Sequence, residues 1–221
     1  RQVDKEGNEI FALGTNPWPQ LTNFGISWEP DVLMAAYERA LFPMPQEIQG
    51  ADVAIGWWSP ESRAVFYPDK VRVSRSTRQS AKGLTVTFDQ AFSQVVRECG
   101  DPLRPDGWIN ADVVTGYTRL HELGRAHSVE VWHKSTLVGG LYGVAIGGIF
   151  AGESMFHKAT NASKVALAAL AEVLNDGQGR VIDSQWMTPH LASLGAEPMP
   201  RSHYADLVTD LAHIPPPRIG V

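Results

Sequence analysis

Leu137 to Phe150 carries no charge, is built from Val, Ile, Leu, Tyr and paired glycines, and passes directly into Ala151-Gly-Glu-Ser-Met-Phe-His-Lys-Ala-Thr-Asn-Ala-Ser-Lys164. That composition is the one of buried strands that bend or let another backbone come close. Taken from Ser135 to Gly152 the stretch is long enough to raise a membrane span, yet six glycines interrupt it and charged residues stand close on both sides. It is therefore expected to form two strands of an interior sheet. Glu153 then falls at the end of an interior strand, where a carboxylate is costly without a partner. A loop amide or a core Arg would be an ordinary structural partner; catalysis is the other reading. Downstream, Asn161 can cap a helix that runs through Val165, Leu167, Leu170 and Leu174 at helical spacing.

The rest of the chain supplies layers for that sheet. With 221 residues and 43% hydrophobic content it can bury a full core. Residues 1 to 26 are irregular, with Phe11, Trp18 and Phe24 placed to pin the segment to the body. Ser27 with Glu29-Pro30-Asp31 marks a helix start, continued by Val32, Leu33, Ala36, Tyr37 and Ala40 until Pro43 and Pro45 end it. Trp57-Trp58-Ser-Pro60 follows in a loop or short strand, near the junction between a small N-terminal domain, 1–66, and a larger domain, 67–221. From Leu84 the pattern becomes regular: a strand over 84–88, helices over 90–98 and 111–123, then strands over 128–132, 137–146 and 149–156 joined by short hairpin connections. These three make an antiparallel meander. After the Asn161 helix come a short buried strand over 180–185, a strand near 197–200 and a helix over 202–211. The class is α+β, with a mostly antiparallel mixed sheet flanked by helices.

A single cysteine, Cys99, excludes internal disulfides and a thiolate metal cluster and fits a reducing compartment. No metal-ligand spacing is visible. The opening Arg1-Gln2-Val3-Asp4 has no apolar targeting region, so the cytoplasm is the expected location. The net charge of −5 argues against a nonspecific nucleic-acid coat. Its distribution is uneven. Lys70, Arg72, Arg75, Arg78 and Lys82 occur within one acid-free segment, leaving 14 basic against 24 acidic residues elsewhere. If 74–82 is helical, Arg75, Arg78 and Lys82 share one face, suited to tracking phosphates; a solvated surface helix is the plainer alternative.

Two further features carry chemistry. Alternation along Val181-Ile-Asp-Ser-Gln185 puts Asp183 and Gln185 on one side of a strand, where both can touch one substrate; a satisfied polar strand end has the same pattern. The adjacent Trp57 and Trp58 suit either interdomain packing or stacking on a ring. In order, the chain shows Trp57-Trp58-Ser-Pro, a Ser-Arg-Ser basic helix, Trp108-Ile109, His127-Ser-Val-Glu-Val-Trp132, Leu137-Val-Gly-Gly-Leu-Tyr-Gly-Val-Ala145, Gly152-Glu-Ser-Met-Phe156, Asn161-Ala-Ser-Lys164, Ile182-Asp-Ser-Gln185 and His190-Leu-Ala-Ser-Leu-Gly-Ala196.

By this ordered set, and not by any one motif, the chain resembles the bacterial leucyl/phenylalanyl-tRNA-protein transferases from about Leu33 to Leu211. The resemblance implies an aminoacyltransferase of the N-degron pathway, with a larger domain similar to GNAT acyltransferases. It would move Leu, Phe or Met from aminoacyl-tRNA to the amino-terminal Arg or Lys of an acceptor protein. No cofactor, metal or membrane is implied, and a monomer is expected. The implied catalytic group is Asp183, Gln185 and Glu153: Gln185 orients the amine, Asp183 holds Gln185 or offsets charge, and Glu153 joins that network or meets the cationic acceptor. Met155 and Phe156 would line the amino-acid pocket, with Gly152 and Ser154 beside them and Asn161 in the same substrate site. Trp57, Trp58 or Trp108 would stack on the terminal adenosine, and Arg75, Arg78 and Lys82 would bind tRNA. His127 and His190 are candidate proton shuttles with many structural uses besides.

The chain departs from the family pattern at Leu21 to Glu29, where a Gly-Leu-Leu-Ala-x-Gly-Gly-Asp-Leu segment is usual, at Gly107, where Thr is usual, and at His157, commonly Ser. Two other activities share parts of this pattern. An acyl-CoA-dependent acetyltransferase would share the meander but should open a helix with a glycine-rich pyrophosphate loop. A noncatalytic tRNA- or degron-binding module would keep the fold without the reaction.

Overall fold

The uncharged run forms two strands of a seven-stranded sheet in the computed structural model, which describes residues 2–3, 9–10, 21–25, 27–46, 54–101 and 108–220, by backbone alone at 2–3, 9–10 and 21–24. Phe11, Trp18 and Gly107 lie outside the described residues. Strands β1 (Gln2–Val3) and β2 (Glu9–Ile10) pair with each other, and β3 (Leu21–Gly25), β4 (Phe42–Gln46) and β5 (Ala54–Trp58) form a small antiparallel sheet in the order β3-β5-β4. Helix α1 (Pro30–Tyr37) precedes β4 and ends earlier than its apolar spacing suggests, because Ala40 at φ 60 turns the chain away. Pro43 and Pro45, expected to lie beyond the helix as breakers, instead occupy the edge strand β4, where a missing N–H is tolerated.

The larger sheet holds β6 (Ser62–Phe66), β7 (Thr85–Phe88), β8 (Ala126–His133), β9 (Thr136–Ile146), β10 (Ile149–His157), β11 (Val181–Trp186) and β12 (Glu197–Pro200) in the order β12-β6-β11-β10-β9-β8-β7. Every neighbouring pair is antiparallel except β10 with β11. That one parallel pair follows from the crossover through α5 (Ala162–Leu174), since a parallel return needs a connection long enough to span the sheet. Helices α2 (Arg75–Ala81), α3 (Phe92–Cys99), α4 (Ala111–Glu122), α6 (Pro189–Ser193) and α7 (Arg201–Leu211) complete the chain. The class is α+β with a mixed sheet flanked by helices, as the pattern indicates. Strand β6, from the chain's first third, lies between β12 and β11, so the larger sheet recruits residues 62–66.

Two apolar layers cover the sheet. Phe92, Val95, Val113, Tyr117, Tyr142 and Phe156 pack with α1, α3 and α4, whereas Val129, Leu141, Phe150, Leu167, Leu170 and Ile182 pack with α5. Gly139 explains how closely α5 approaches: a Cβ there would stand 2.5 Å from that of Ala162. A third cluster, Val65, Ile149, Val181, Tyr204 and Val208, seats α7.

Candidate active site

Strands β10 and β11 pair only through Ile149↔Val181, Phe150↔Ile182 and Ala151↔Asp183, then part. Glu153 and Gln185 each stand two residues past the last pair, so both point into the opening gap. Two irregularities flank it. The register of β10 with β9 shifts between Gly152 and Ser154, and that of β11 with β6 shifts between Asp183 and Trp186. Gln185 itself adopts φ 55, a left-handed backbone unusual for a residue with a side chain.

The gap opens into a cavity of about 240 Å³ lined by Leu141, Met155, Leu167, Leu170, Ile182 and Leu191, with Glu153, Ser154, Ser184 and Gln185 as its polar groups. Gly152 also lines it. Such a space is apolar on the α5 side and polar where the strands separate, the usual makeup of a small-molecule site.

Glu153 is the carboxylate that reaches this cavity. Gln185 Nε2 donates to its Oε1 across a long 3.5 Å, and Tyr117 Oη donates to its Oε2 at 3.0 Å. Tyr37 Oη lies 2.6 Å from Tyr117 Oη and continues the chain of hydroxyls into the core. Burial pushes the Glu153 carboxyl up to about 7; the Tyr37 and Tyr117 hydroxyls oppose that rise, the Asp183 charge adds to it and the Arg63 charge opposes it. Burial, with the Glu153 charge, also raises Tyr37, Tyr117 and Tyr142 well above the ordinary phenol value, so the relay hydroxyls keep their protons.

Asp183 is differently placed. It is 0% exposed and does not line the cavity. Its Oδ1 accepts from Arg63 Nε at 3.1 Å and from the Gln185 backbone N–H at 2.9 Å. Its Oδ2 accepts from Arg63 Nη2 and from Tyr204 Oη, the latter at 2.9 Å. The expectation that Asp183 and Gln185 touch one substrate together is thus corrected for Asp183: four donors enclose it, and it contacts Gln185 instead.

The other anticipated residues divide. Gly152, Ser154 and Met155 line the cavity, but Phe156, 3% exposed, faces the opposite layer with α3, as alternation from Met155 requires. Trp57, 6% exposed, is a core residue against Gly25, where a Cβ would meet its Nε1 at 2.7 Å, so it offers no stacking face. Trp58 is half-buried beside Trp186, ring centroids 5.9 Å apart, and its Nε1 has no partner among the described residues. Trp108 is half-buried against the same core layer. Asn161 stands at the start of α5 at φ 66, but its side chain does not cap the helix: it donates to Ser80 Oγ at 3.1 Å and accepts from Lys164 Nζ at 3.1 Å, tying α2 to α5 outside the cavity. His127 pairs with Asp89 at 2.7 Å, and His190 is exposed on α6; neither lines the cavity. Arg75, Arg78 and Lys82 are exposed and make no ion pair among the described residues, on a helix whose Ser74 cap accepts from the Thr77 N–H. Among the described residues no group of three His, Cys, Asp or Glu could hold a metal ion, and no helix is long and apolar enough to cross a membrane.

Arg63, Tyr204, Tyr37 and Tyr117 are not legible as site residues in the sequence. Only Arg63 leaves a trace: a lone cation beside Ala64-Val-Phe66 in a strand-like run, a residue type seldom buried unless paired.

Known proteins share this chain's sequence across both parts. The family profile described as Leucyl/phenylalanyl-tRNA protein transferase matches residues 65–209, and that of its N-terminal domain matches 27–61. A Leucyl/phenylalanyl-tRNA--protein transferase from Shewanella sp. (strain ANA-3) is 43% identical over 94% of this chain and 91% of its own length. Proteins of the same name from Stutzerimonas stutzeri and Klebsiella pneumoniae are 47% and 42% identical, covering 80% and 94% of this chain and 78% and 83% of their own. Among solved structures, a GCN5-related N-acetyltransferase from Kribbella flavida aligns with 65% of this chain and 55% of its own, at 13% identity and a TM-score of 0.41, too remote to carry a functional argument.

Proposed function

The chain belongs to the leucyl/phenylalanyl-tRNA-protein transferase family, enzymes that use aminoacyl-tRNA and protein substrates, and we propose that it moves Leu, Phe or Met to the amino-terminal Arg or Lys of acceptor proteins, marking them for the N-degron pathway. The observation that carries this reading is the apolar cavity lined at its polar end by Glu153 and Gln185. The aminoacyl side chain would occupy the space among Leu141, Met155, Leu167, Leu170, Ile182 and Leu191, which leaves its ester carbon near the gap between β10 and β11.

The ester is already activated, so the site must place an amine on the carbonyl carbon and manage one proton. The Gln185 amide orients the amine. As the N–C bond forms and the ester C–O bond breaks, the nitrogen loses a proton to Glu153, which returns it to the departing ribose oxygen. A base near pKa 7 suits that two-way transfer at neutral pH. Asp183 contributes by holding the Gln185 backbone and by its charge. No cofactor takes part. Trp58 and Trp108 remain the candidates for stacking on the terminal adenosine, and Arg75, Arg78 and Lys82 for the acceptor-stem phosphates. We place the functional division near residues 1–66 and 67–221, with 62–66 lent to the larger sheet. An acyl-CoA reading has less support: between His157 and Ala162, where a pyrophosphate loop would open α5, there is no glycine.

Labelled Leu-tRNA and a peptide beginning with Arg test this reading. The expected result is label transfer to that peptide, and to one beginning with Lys, but not to a peptide beginning with Ala. Acetylation from acetyl-CoA without transfer from Leu-tRNA or Phe-tRNA would overturn it.

A further inference from the structure

Arg63 is 1% exposed, yet it carries a full charge. The Asp183 charge raises its pKa further despite the opposing effect of burial. Taking such a pair out of water is expensive, and apolar residues of similar volume often serve stability as well or better. Here every hydrogen bond of the guanidinium leads toward the Glu153–Gln185 pair. Nε and Nη2 hold Asp183, whose Oδ1 accepts the N–H of Gln185 and so steadies its left-handed backbone. Nη1 donates to the Ala40 carbonyl at 3.3 Å, in the turn three residues past Tyr37. Tyr37 in turn bonds Tyr117, which donates to Glu153. The planar group lies between the rings of Phe42 and Tyr204, 5.0 and 4.2 Å from their centroids, which removes its remaining freedom.

We propose that Arg63 is a positioning residue of the transfer reaction, which, through Asp183 on one side and the Ala40 turn on the other, sets the two groups that meet Glu153. This rests on the role given above to Glu153 and Gln185. Tyr204, donating to Asp183 Oδ2 from α7, is the lesser member of the same device. Lys cannot replace Arg63, because a single ammonium cannot hold both Asp183 oxygens in a fork and reach Ala40 as well.

The test compares Arg63→Lys and Tyr204→Phe with the wild type by two readouts. In steady-state transfer, Arg63→Lys should lower kcat about 10- to 100-fold while KM for aminoacyl-tRNA stays within about twofold, because groups misplaced by an ångström lose rate more than binding. Tyr204→Phe should lower kcat less, in the same direction. Rates are counted per folded molecule, with the folded fraction taken from thermal unfolding at the assay temperature. Unchanged kcat per folded molecule in Arg63→Lys overturns the proposal and leaves the ion pair a purely structural one. The second readout needs no substrate: the backbone and side-chain amide resonances of Gln185 should move and exchange faster with solvent in Arg63→Lys. Identical Gln185 resonances in both variants overturn the proposal whatever the chemistry, whereas altered resonances in a chain inactive even as wild type would place the failure in the functional reading.

Discussion

Glu153 and Gln185 meet because the parallel strands that carry them stop pairing at Ala151 and Asp183 and then separate. Buried there, Glu153 has its pKa raised to about 7. If it is the proton acceptor, kcat/KM should fall as pH drops through about 7, since protonated Glu153 cannot take the proton. Glu153→Gln should remove that limb, leaving the ionisation of the acceptor amine itself; a pH profile of the two proteins side by side checks this, and an unchanged acid limb in the variant refutes it. Gln185→Ala should lower kcat about 100-fold with little change in aminoacyl-tRNA affinity, read as a split between turnover and binding. Met155 lies on the cavity wall, where under the proposed reaction it would set the depth available to the amino-acid side chain. Competition between Leu-tRNA and Ala-tRNA should show Met155→Ala discriminating less by roughly 1 to 3 kcal/mol, the worth of a methylene in such a pocket. Glu153 and Gln185 stand out in the sequence as polar residues at strand ends, whereas Met155 enters only through the family resemblance. Phe156 is not legible as core and Trp57 stays open between packing and stacking, because one strand face and the other look alike until a partner layer is known.

At the scale of elements, α2 is the basic helix that the acid-free segment from 70 to 82 suggests. It lies against α5 through Asn161 and Ser80, with Arg75, Arg78 and Lys82 outward. Neutralising the three together should weaken aminoacyl-tRNA binding and flatten its salt dependence by a log-log slope of about 0.7 to 0.9 for each lost phosphate contact. A minimal aminoacyl-adenosine donor, which has no stem phosphates, should be used nearly as well as before. Equal losses with both donors would assign the helix to the active site or to folding; no loss with either would make it a solvated face. The expected helices and strands of 84–211 all form close to their anticipated bounds, since long runs of regular spacing state their own period. The N-terminal part was harder to read, and there Pro43 and Pro45 fall in a strand because the edge position spares their absent N–H groups.

For the whole molecule, the cost of the site is a stability term. Glu153 has a folded pKa of about 7 against an ordinary 4.5, so its protonated form stabilises the folded state fully below about pH 4.5. That contribution is lost as pH rises through about 7, by up to about 3 kcal/mol. Urea unfolding at pH 5 and pH 8 should show Glu153→Gln losing less stability between the two than the wild type; equal losses would mean that the carboxyl is not held in its raised state. Asp183→Ala should destabilise by about 3 to 5 kcal/mol, because it leaves the Arg63 cation buried without its counter-charge, and the same unfolding measurement checks it. By itself the sequence determined the α+β class, the meander, the helix after Asn161 and the family, and it marked Glu153 and Gln185 as polar groups at strand ends, since each is written in local spacing or in ordered motifs. Only the tertiary structure decided that Asp183 is enclosed and not exposed to substrate, and that Arg63, Tyr204, Tyr37 and Tyr117 surround the site. Those residues come from β6, α7, α1 and α4, and their partners lie 80 and 120 positions away for the Tyr37–Tyr117 and Arg63–Asp183 contacts. The hydrogen bonds and charge pairing that join them depend on distance in space, which no spacing along the chain records.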